Sequence, residues 1–219
     1  MKKEYRYILF DLDGTLTDPK VGITKGVQYA LAKYGIKEDD LDKLESFIGP
    51  PLLYSFKEFY SFDSEKATEA IKYYREYFSE KGMFENIPYN GIRRLLEGLM
   101  EEGKILIVAT SKPTYFAEKI LKYFELEEFF TLIAGSNLDG SRCEKDEVIQ
   151  YIREIIPEIT CNNTIMVGDR KYDIIGAKQH HIESIGVTYG YGGEEELKAA
   201  EATFIVTSIE ELNVLLTNR

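Results

Sequence analysis

Apolar positions along the chain follow two recurring patterns. Short, nearly continuous apolar runs occur at Tyr7–Phe10, Ile105–Ala109, Thr131–Ala134, Thr164–Val167 and Ile182–Val187, with a shorter one at Thr203–Val206. Runs of this length without polar alternation predict strands buried on both faces. The segments between them carry helical spacing. In Gly91–Glu102, Ile92, Leu95, Leu96 and Leu99 share one face, and Gly103 is placed to end the helix. Pro113–Phe124 opens on a first-turn proline and carries Phe116, Ile120, Leu121 and Phe124. Lys145–Ile156 and Lys171–Gln179 follow the same rule. Alternation of strand and helix predicts an α/β fold, a Rossmann-like three-layer parallel sheet covered by helices on both faces.

One interval departs from this rhythm. Residues 18–84 contain no convincing strand. Asp18-Pro19 reads as an N-cap with proline in the first turn, and Gly35 ends that helix. Ser64 reads as the cap of a longer helix to about Glu80, with Ile71, Tyr74 and Phe78 in register and Gly82 beyond it. Pro50-Pro51 breaks the middle. So long an insert exceeds a loop and predicts a small α-helical cap domain at 18–84, with 1–17 and 85–219 forming the α/β core. Because it starts just after an acidic motif, it is expected to overhang that motif.

Composition narrows the classes. The 219 residues are 44% hydrophobic, enough for a packed core, and carry a net charge of −11. Such a surface disfavours nucleic acid and anionic membranes as partners. No window approaches ~18 consecutive apolar residues, and the charged start Met1–Arg6 has no signal-peptide pattern. Cys143 and Cys161 have neither metal-ligand spacing nor the makings of a disulfide framework. A cytoplasmic protein, monomer or small homo-oligomer, is the expectation.

The predicted strand ends carry the chemistry. Asp11-Leu12-Asp13-Gly14-Thr15-Leu16-Thr17 follows the first strand. Ligands of open α/β sheets bind at that edge, and acids at i and i+2 point the same way. Alone, an ordinary Asp-Gly turn reads identically. Thr110-Ser111-Lys112 follows the next strand, where a hydroxyl before a helix can bind an anion or simply cap. Lys145 sits in a first helical turn, opposing the helix dipole unless an anion is near. Gly168-Asp169 closes another strand, with Asp173 one turn on, so that both acids can face a cation or merely cap. Together these supply what phosphoryl transfer needs. An ionised Asp attacks without a base, Mg²⁺ lets it approach an anionic phosphate, and a Lys and a hydroxyl neutralise the phosphoryl oxygens.

The ordered set DLDGTLT, TSK, a Lys and GDRKYD resembles the haloacid dehalogenase superfamily of aspartate-nucleophile phosphatases over the whole chain, helical cap included. By that resemblance Asp11 is the nucleophile and a Mg²⁺ ligand. Asp13 is the general acid/base, with its backbone carbonyl on the metal. Thr110 and Lys145 bind the transferring phosphoryl group, Asp169 ligates Mg²⁺, and Asp173 supports it. Gly14, Ser111, Lys112 and, in the cap loop, Gly49 are the expected substrate contacts. The acid at position 13 suits ester hydrolysis, since it can protonate a leaving alcohol and then activate water. The finer likeness is to the phosphoglycolate phosphatase-like branch. Within it, Gly135–Arg142 and Gly186–Gly192 look like bacterial proteins labelled 5′-nucleotidases.

The expected substrate is a small phosphorylated metabolite. A β-phosphoglucomutase-type isomerase and a non-catalytic phosphate-binding protein are the alternatives on this fold. No Arg stands near Gly49-Pro50-Pro51, where such mutases carry one. Lys145 is preferred over Arg142 for the third motif, from its spacing to Val148-Ile149. Lys112 either contacts substrate or braces the acids. Tyr189–Gly193 either lines the site or merely joins strand to helix, the plain connection being preferred, and His180-His181 is read as a helix end. The sixteen tyrosines suggest amphipathic packing.

Overall fold

The structure is a computed structural model and describes residues 4–217. In chain order the elements are β1 (Tyr7–Phe10), β2 (Thr17–Asp18), α1 (Lys20–Ala32), α2 (Leu52–Tyr60), α3 (Ser64–Phe78), β3 (Ile87–Pro88), α4 (Ile92–Glu101), β4 (Ile105–Pro113), α5 (Thr114–Tyr123), β5 (Leu132–Ser136), α6 (Lys145–Ile155), β6 (Thr164–Gly168), α7 (Lys171–Gln179), β7 (Glu183–Val187), α8 (Gly193–Ala199), β8 (Phe204–Val206) and α9 (Ile209–Thr217). The chain divides into two compact units, Met1–Thr17 with Pro88–Arg219, and Asp18–Ile87. The chain passes from one to the other through β2 and β3, which pair with each other.

The larger unit is built on a six-stranded sheet in the order β5-β4-β1-β6-β7-β8, every pair parallel. β1 is central, with Phe10 level with Val108 of β4 and Val167 of β6. Successive strand residues face opposite sides. Tyr7, Leu9, Ile107, Ala109 and Met166 join Val148, Ile149 and Ile152 of α6 and Ala177 of α7 in one core cluster. Ile8, Phe10, Leu106 and Val108 lie on the opposite face and are equally buried, and α4 and α5 pack against β4. Burial on both faces explains the unbroken apolar runs. Each such Leu, Ile or Val contributes roughly 1.5–3 kcal/mol. The α/β class expected from the pattern is what the sheet shows.

The smaller unit is helical. α1 packs on α3, with Gly26 flat against the Tyr74 ring and Gly22 facing the Gly82 carbonyl. Phe47, Phe56, Phe62 and Tyr60 form an aromatic cluster at ring separations of 5.1–6.2 Å.

Several local expectations are corrected. Pro19, not Asp18, occupies the cap position of α1. Asp18 belongs to β2 and instead accepts from Lys20 N at 3.0 Å. Asp63, not Ser64, caps α3, accepting from Lys66 N at 2.8 Å. Residues 85–87 belong with the helical unit rather than the core, because Glu85 is held there by Lys25 and Tyr77 at 2.6 and 2.7 Å. Pro51 does not simply break structure; it caps α2.

Candidate active site

The expected site residues of the larger unit stand where its parallel strands end. Asp11 follows β1, its N–H bonded to Val167 O of the neighbouring strand at 2.9 Å. Its carboxylate accepts from Leu12 N at 2.7 Å and lies 3.1 Å from Lys145 Nζ. Gly14, at φ 77°, turns the chain after Asp13. A Cβ there would fall on the Asp169 carboxylate, so the position needs glycine for its space as well as its backbone. Thr110, Ser111 and Lys112 occupy the irregular stretch of β4, where pairing to β5 breaks between Ala109 and Pro113. Thr110 is buried, its Oγ1 accepting from Lys112 N at 3.3 Å. Ser111 is half-buried, and its carbonyl accepts from Ser136 Oγ at 2.8 Å. Gly49 lies in the helical unit, at φ 106°, ahead of Pro50 and Pro51.

Lys145 explains its awkward place in the first turn of α6. It is buried and reaches Ala109 O at 2.8 Å, Asp173 Oδ1 at 2.7 Å and Asp11 Oδ1 at 3.1 Å. Gly176 of α7 packs against its stem, with no room for a Cβ. Burial lowers the pKa of this ammonium, but Asp11 and Asp173 outweigh burial and hold it above the usual lysine value. Arg142, the rival for this role, is used elsewhere. Its Nε donates to Gly135 O at 2.8 Å and its guanidinium covers the Tyr151 ring at 3.7 Å.

Lys112 braces an acid. Its Nζ lies 2.7 Å from Asp13 Oδ2, while Asp13 Oδ1 is buried without a hydrogen-bond partner among the described residues. Burial raises the Asp13 pKa, Lys112 draws it back and Asp11 adds to the rise, leaving it above the usual carboxylate range.

Among the described residues, Asp11, Asp169 and Asp173 present carboxylate oxygens that lie within 4.8 Å of one another, all three buried. The Asp13 side chain is not part of this group, being turned to Lys112. Burial, then repulsion from Asp173 and Asp11, pushes the Asp169 carboxyl well above its usual range. Asp173 is pushed up to about 7, by burial first, with Lys145 opposing and Asp11 reinforcing. Counting Asp13, four carboxylates face two ammonium groups. With all four ionised, the surplus of two negative charges matches one divalent cation. A hard, all-oxygen donor set fits Mg²⁺.

The β7–α8 connection, expected to be a plain link, holds Asp169. Tyr191 N donates to Asp169 Oδ2 at 2.7 Å, and Tyr189 Oη donates to Thr15 O at 3.1 Å. Glu196 of α8 accepts from Arg170 Nε at 2.9 Å and Lys171 N at 2.8 Å, the latter a first-turn N–H of α7. Residue types gave no notice of Tyr191, which acts through its main chain. His180 ends α7, its Nε2 2.9 Å from Asp146 O. Neither Cys143 nor Cys161 is joined in a disulfide. No helix among the described residues is long and apolar enough to cross a membrane.

Comparison with known proteins agrees with this geometry. Residues 8–187 match the family model of haloacid dehalogenase-like hydrolases. A Pseudomonas aeruginosa protein named 5′-nucleotidase is 46% identical over 212 residues, covering 97% of this chain and 96% of that one. A Mycobacterium tuberculosis protein named tyrosine-protein kinase PtkA is 35% identical, over 95% of this chain and 72% of its own. The crystal structure of a predicted phosphatase from Clostridium acetobutylicum is 52% identical, with a TM-score of 0.96 over 99% of this chain and 100% of that chain. The chain therefore belongs to the haloacid dehalogenase-like hydrolases, as a member of their phosphatase type.

Proposed function

We propose that the protein is a Mg²⁺-dependent hydrolase of small phosphomonoesters that works through a phosphoaspartate on Asp11, with nucleoside 5′-monophosphates as the first substrate class to test and phosphoglycolate as the second. The observation that carries this reading is the Asp11 carboxylate, set between Lys145 and the two converging acids Asp169 and Asp173. The 5′-nucleotidase name of the P. aeruginosa relative supports the substrate class.

In this reading Asp11, Asp169 and Asp173, with the Asp13 carbonyl, would hold Mg²⁺, which would supply the positive charge that lets carboxylate and phosphate meet. An Asp11 oxygen attacks phosphorus, and the bond from phosphorus to the ester oxygen breaks. Asp13 gives its proton to the leaving alkoxide. Burial raises its pKa above the ordinary carboxylate value, which favours its carrying that proton. Water then attacks the phosphoaspartate, losing a proton to Asp13, and inorganic phosphate leaves with Asp11 restored. Because Lys112 holds Oδ2, the free Oδ1 of Asp13 is the oxygen that moves protons. Lys145 and Thr110 neutralise and orient the phosphoryl oxygens.

The test is phosphate release from a panel of nucleoside monophosphates, phosphoglycolate and hexose phosphates, ranked by kcat/KM with and without chelator. Release is expected with Mg²⁺ and is lost on chelation. Asp11→Asn should fold normally and release none; appreciable turnover by that variant excludes Asp11 as nucleophile. The name of the mycobacterial relative gives a second reading, phosphoryl transfer to a protein tyrosine. Phosphotyrosine on a peptide acceptor, in place of free phosphate, would favour it.

A further inference from the structure

Asp169 is enclosed by main chain to an unusual degree. It is fully buried. A Cβ added to Gly14 or Gly190 would fall on its side chain, and one added to Gly192 would fall on its carbonyl oxygen. Two of these three glycines belong to the β7–α8 connection, which follows β7, the next strand in sequence and the neighbour of β6 in the sheet. The approach has a purpose visible in the bonds. Tyr191 N donates to Asp169 Oδ2 at 2.7 Å, and among the described residues Oδ1 keeps only a long 3.5 Å contact from the Thr15 hydroxyl.

The connection is itself anchored at both ends. Thr188 N is bonded to Val206 O at 3.0 Å. The half-buried Tyr189 side chain donates to Thr15 O at 3.1 Å, and its ring meets the Tyr89 ring edge-on at 5.0 Å. Thr15 lies within the acidic motif, so Tyr189 ties that motif to the segment holding Asp169. At the far end, Glu196 binds Arg170 and the Lys171 amide, and Arg170 N in turn donates to Asp173 Oδ2 at 3.1 Å. One short stretch thus reaches Asp169 directly and Asp173 through one intermediate.

We propose that residues 188–196 form a clamp that sets the affinity of the acid cluster for its divalent cation, with Tyr189 and Glu196 as positioning residues. This inference rests on the functional reading above, in which Asp169 and Asp173 hold Mg²⁺. The physical reason is pre-organisation. Two mutually repelling buried carboxylates would swing apart unless other bonds fix them, and the amide at Tyr191 fixes one oxygen of Asp169 while leaving the other to face the cation. Outer bonds of this kind typically govern metal affinity by about 10–100-fold.

The experiment is calorimetric titration of the full-length chain with Mg²⁺ alone, without substrate. Tyr189→Phe removes one hydroxyl, Glu196→Gln removes the charge bound to Arg170, and Gly190→Ala drives a methyl group into Asp169. Gly22→Ala, in the helical unit, serves as a destabilised control. Each clamp variant is expected to weaken Mg²⁺ binding by about tenfold or more, while Gly22→Ala keeps the wild-type affinity despite a lower Tm. If Gly190→Ala does not fold, Tyr189→Phe carries the test. Wild-type affinity in folded Tyr189→Phe and Glu196→Gln would overturn the clamp and leave the functional reading standing. No Mg²⁺ binding by the wild-type protein would overturn both.

Discussion

Chelated protein should lose stability as the pH rises from 5 to 7.5, and Mg²⁺ should restore it. The cause is the buried acid cluster. Asp173 is held up at about 7 in the folded chain, by burial first and by Asp11 against the pull of Lys145, whereas its ordinary value is 3.8. Asp169 is displaced in the same direction. A raised folded-state pKa means that the folded chain keeps protons the unfolded chain has already released. The stability they contribute is complete below about pH 3.8 and is lost as pH rises through the folded-state value. For Asp173 the displacement from 3.8 to about 7 corresponds to on the order of 4 kcal/mol. Part of it is lost below pH 5, so about 2.5 kcal/mol falls between pH 5 and 7.5, roughly 5–10 °C in Tm for a chain of this size. Acids displaced the other way do not confuse the window. Glu85, whose burial is outweighed by Lys25 and Tyr77, lies below its ordinary 4.5, so its contribution is lost only as pH falls further. The assay is scanning calorimetry at pH 5, 6, 7 and 7.5, with chelator and with Mg²⁺. Mg²⁺ binds the ionised cluster, so its stabilisation should be largest at pH 7.5 and small at pH 5. Asp169→Asn should give a chelated protein of higher Tm than wild type at pH 7.5, yet gain little from Mg²⁺. A chelated wild type whose Tm is flat or rising across this range would refute the reasoning.

Two further outcomes probe each unit. Lys145→Met leaves the carboxylates with one ammonium group; it should cost about 3–5 kcal/mol in chelated protein at neutral pH, and kcat should fall at least ~10²-fold, both read from urea unfolding and steady-state kinetics. Gly22→Ala sets a methyl group against the Gly82 carbonyl in the helical unit, and should lower stability by about 1–3 kcal/mol in the same urea assay with no change in the Mg²⁺ affinity of the acid cluster.

The parallel sheet was legible because strands buried on both faces must be apolar throughout, and Tyr7–Phe10 and Thr164–Gly168 are buried at every position. Lys145 was legible for the opposite reason. A cation at a helix start violates a local preference, and such violations mark places where something non-local compensates, here Asp11 and Asp173. The helical unit was harder. α2 is nine residues long and rich in aromatics, so its periodicity is too brief to separate from a loop around Pro50-Pro51, and its packing depends on partners such as Phe47 and Phe62 from outside it. Lys112 was ambiguous in kind, since no spacing rule says that a side chain in the irregular end of β4 turns toward Asp13.

Asp169 shows where residue types stop being informative. Its oxygen is held by a main-chain amide, and every residue but proline offers one, so the identity of Tyr191 carries no signal. What did carry a signal is the spacing of small residues. Gly190 and Gly192 both approach Asp169 more closely than any side chain would permit, as does Gly14 from the other side. At 190 and 192 the contact requires no tight turn, since these glycines do not adopt the left-handed conformation that Gly14 does. Glycine is needed at 190 and 192 for closeness, not for backbone freedom. A Gly-x-Gly run after a strand, which local rules read as a loop, is here the imprint of a buried carboxylate that the chain must touch.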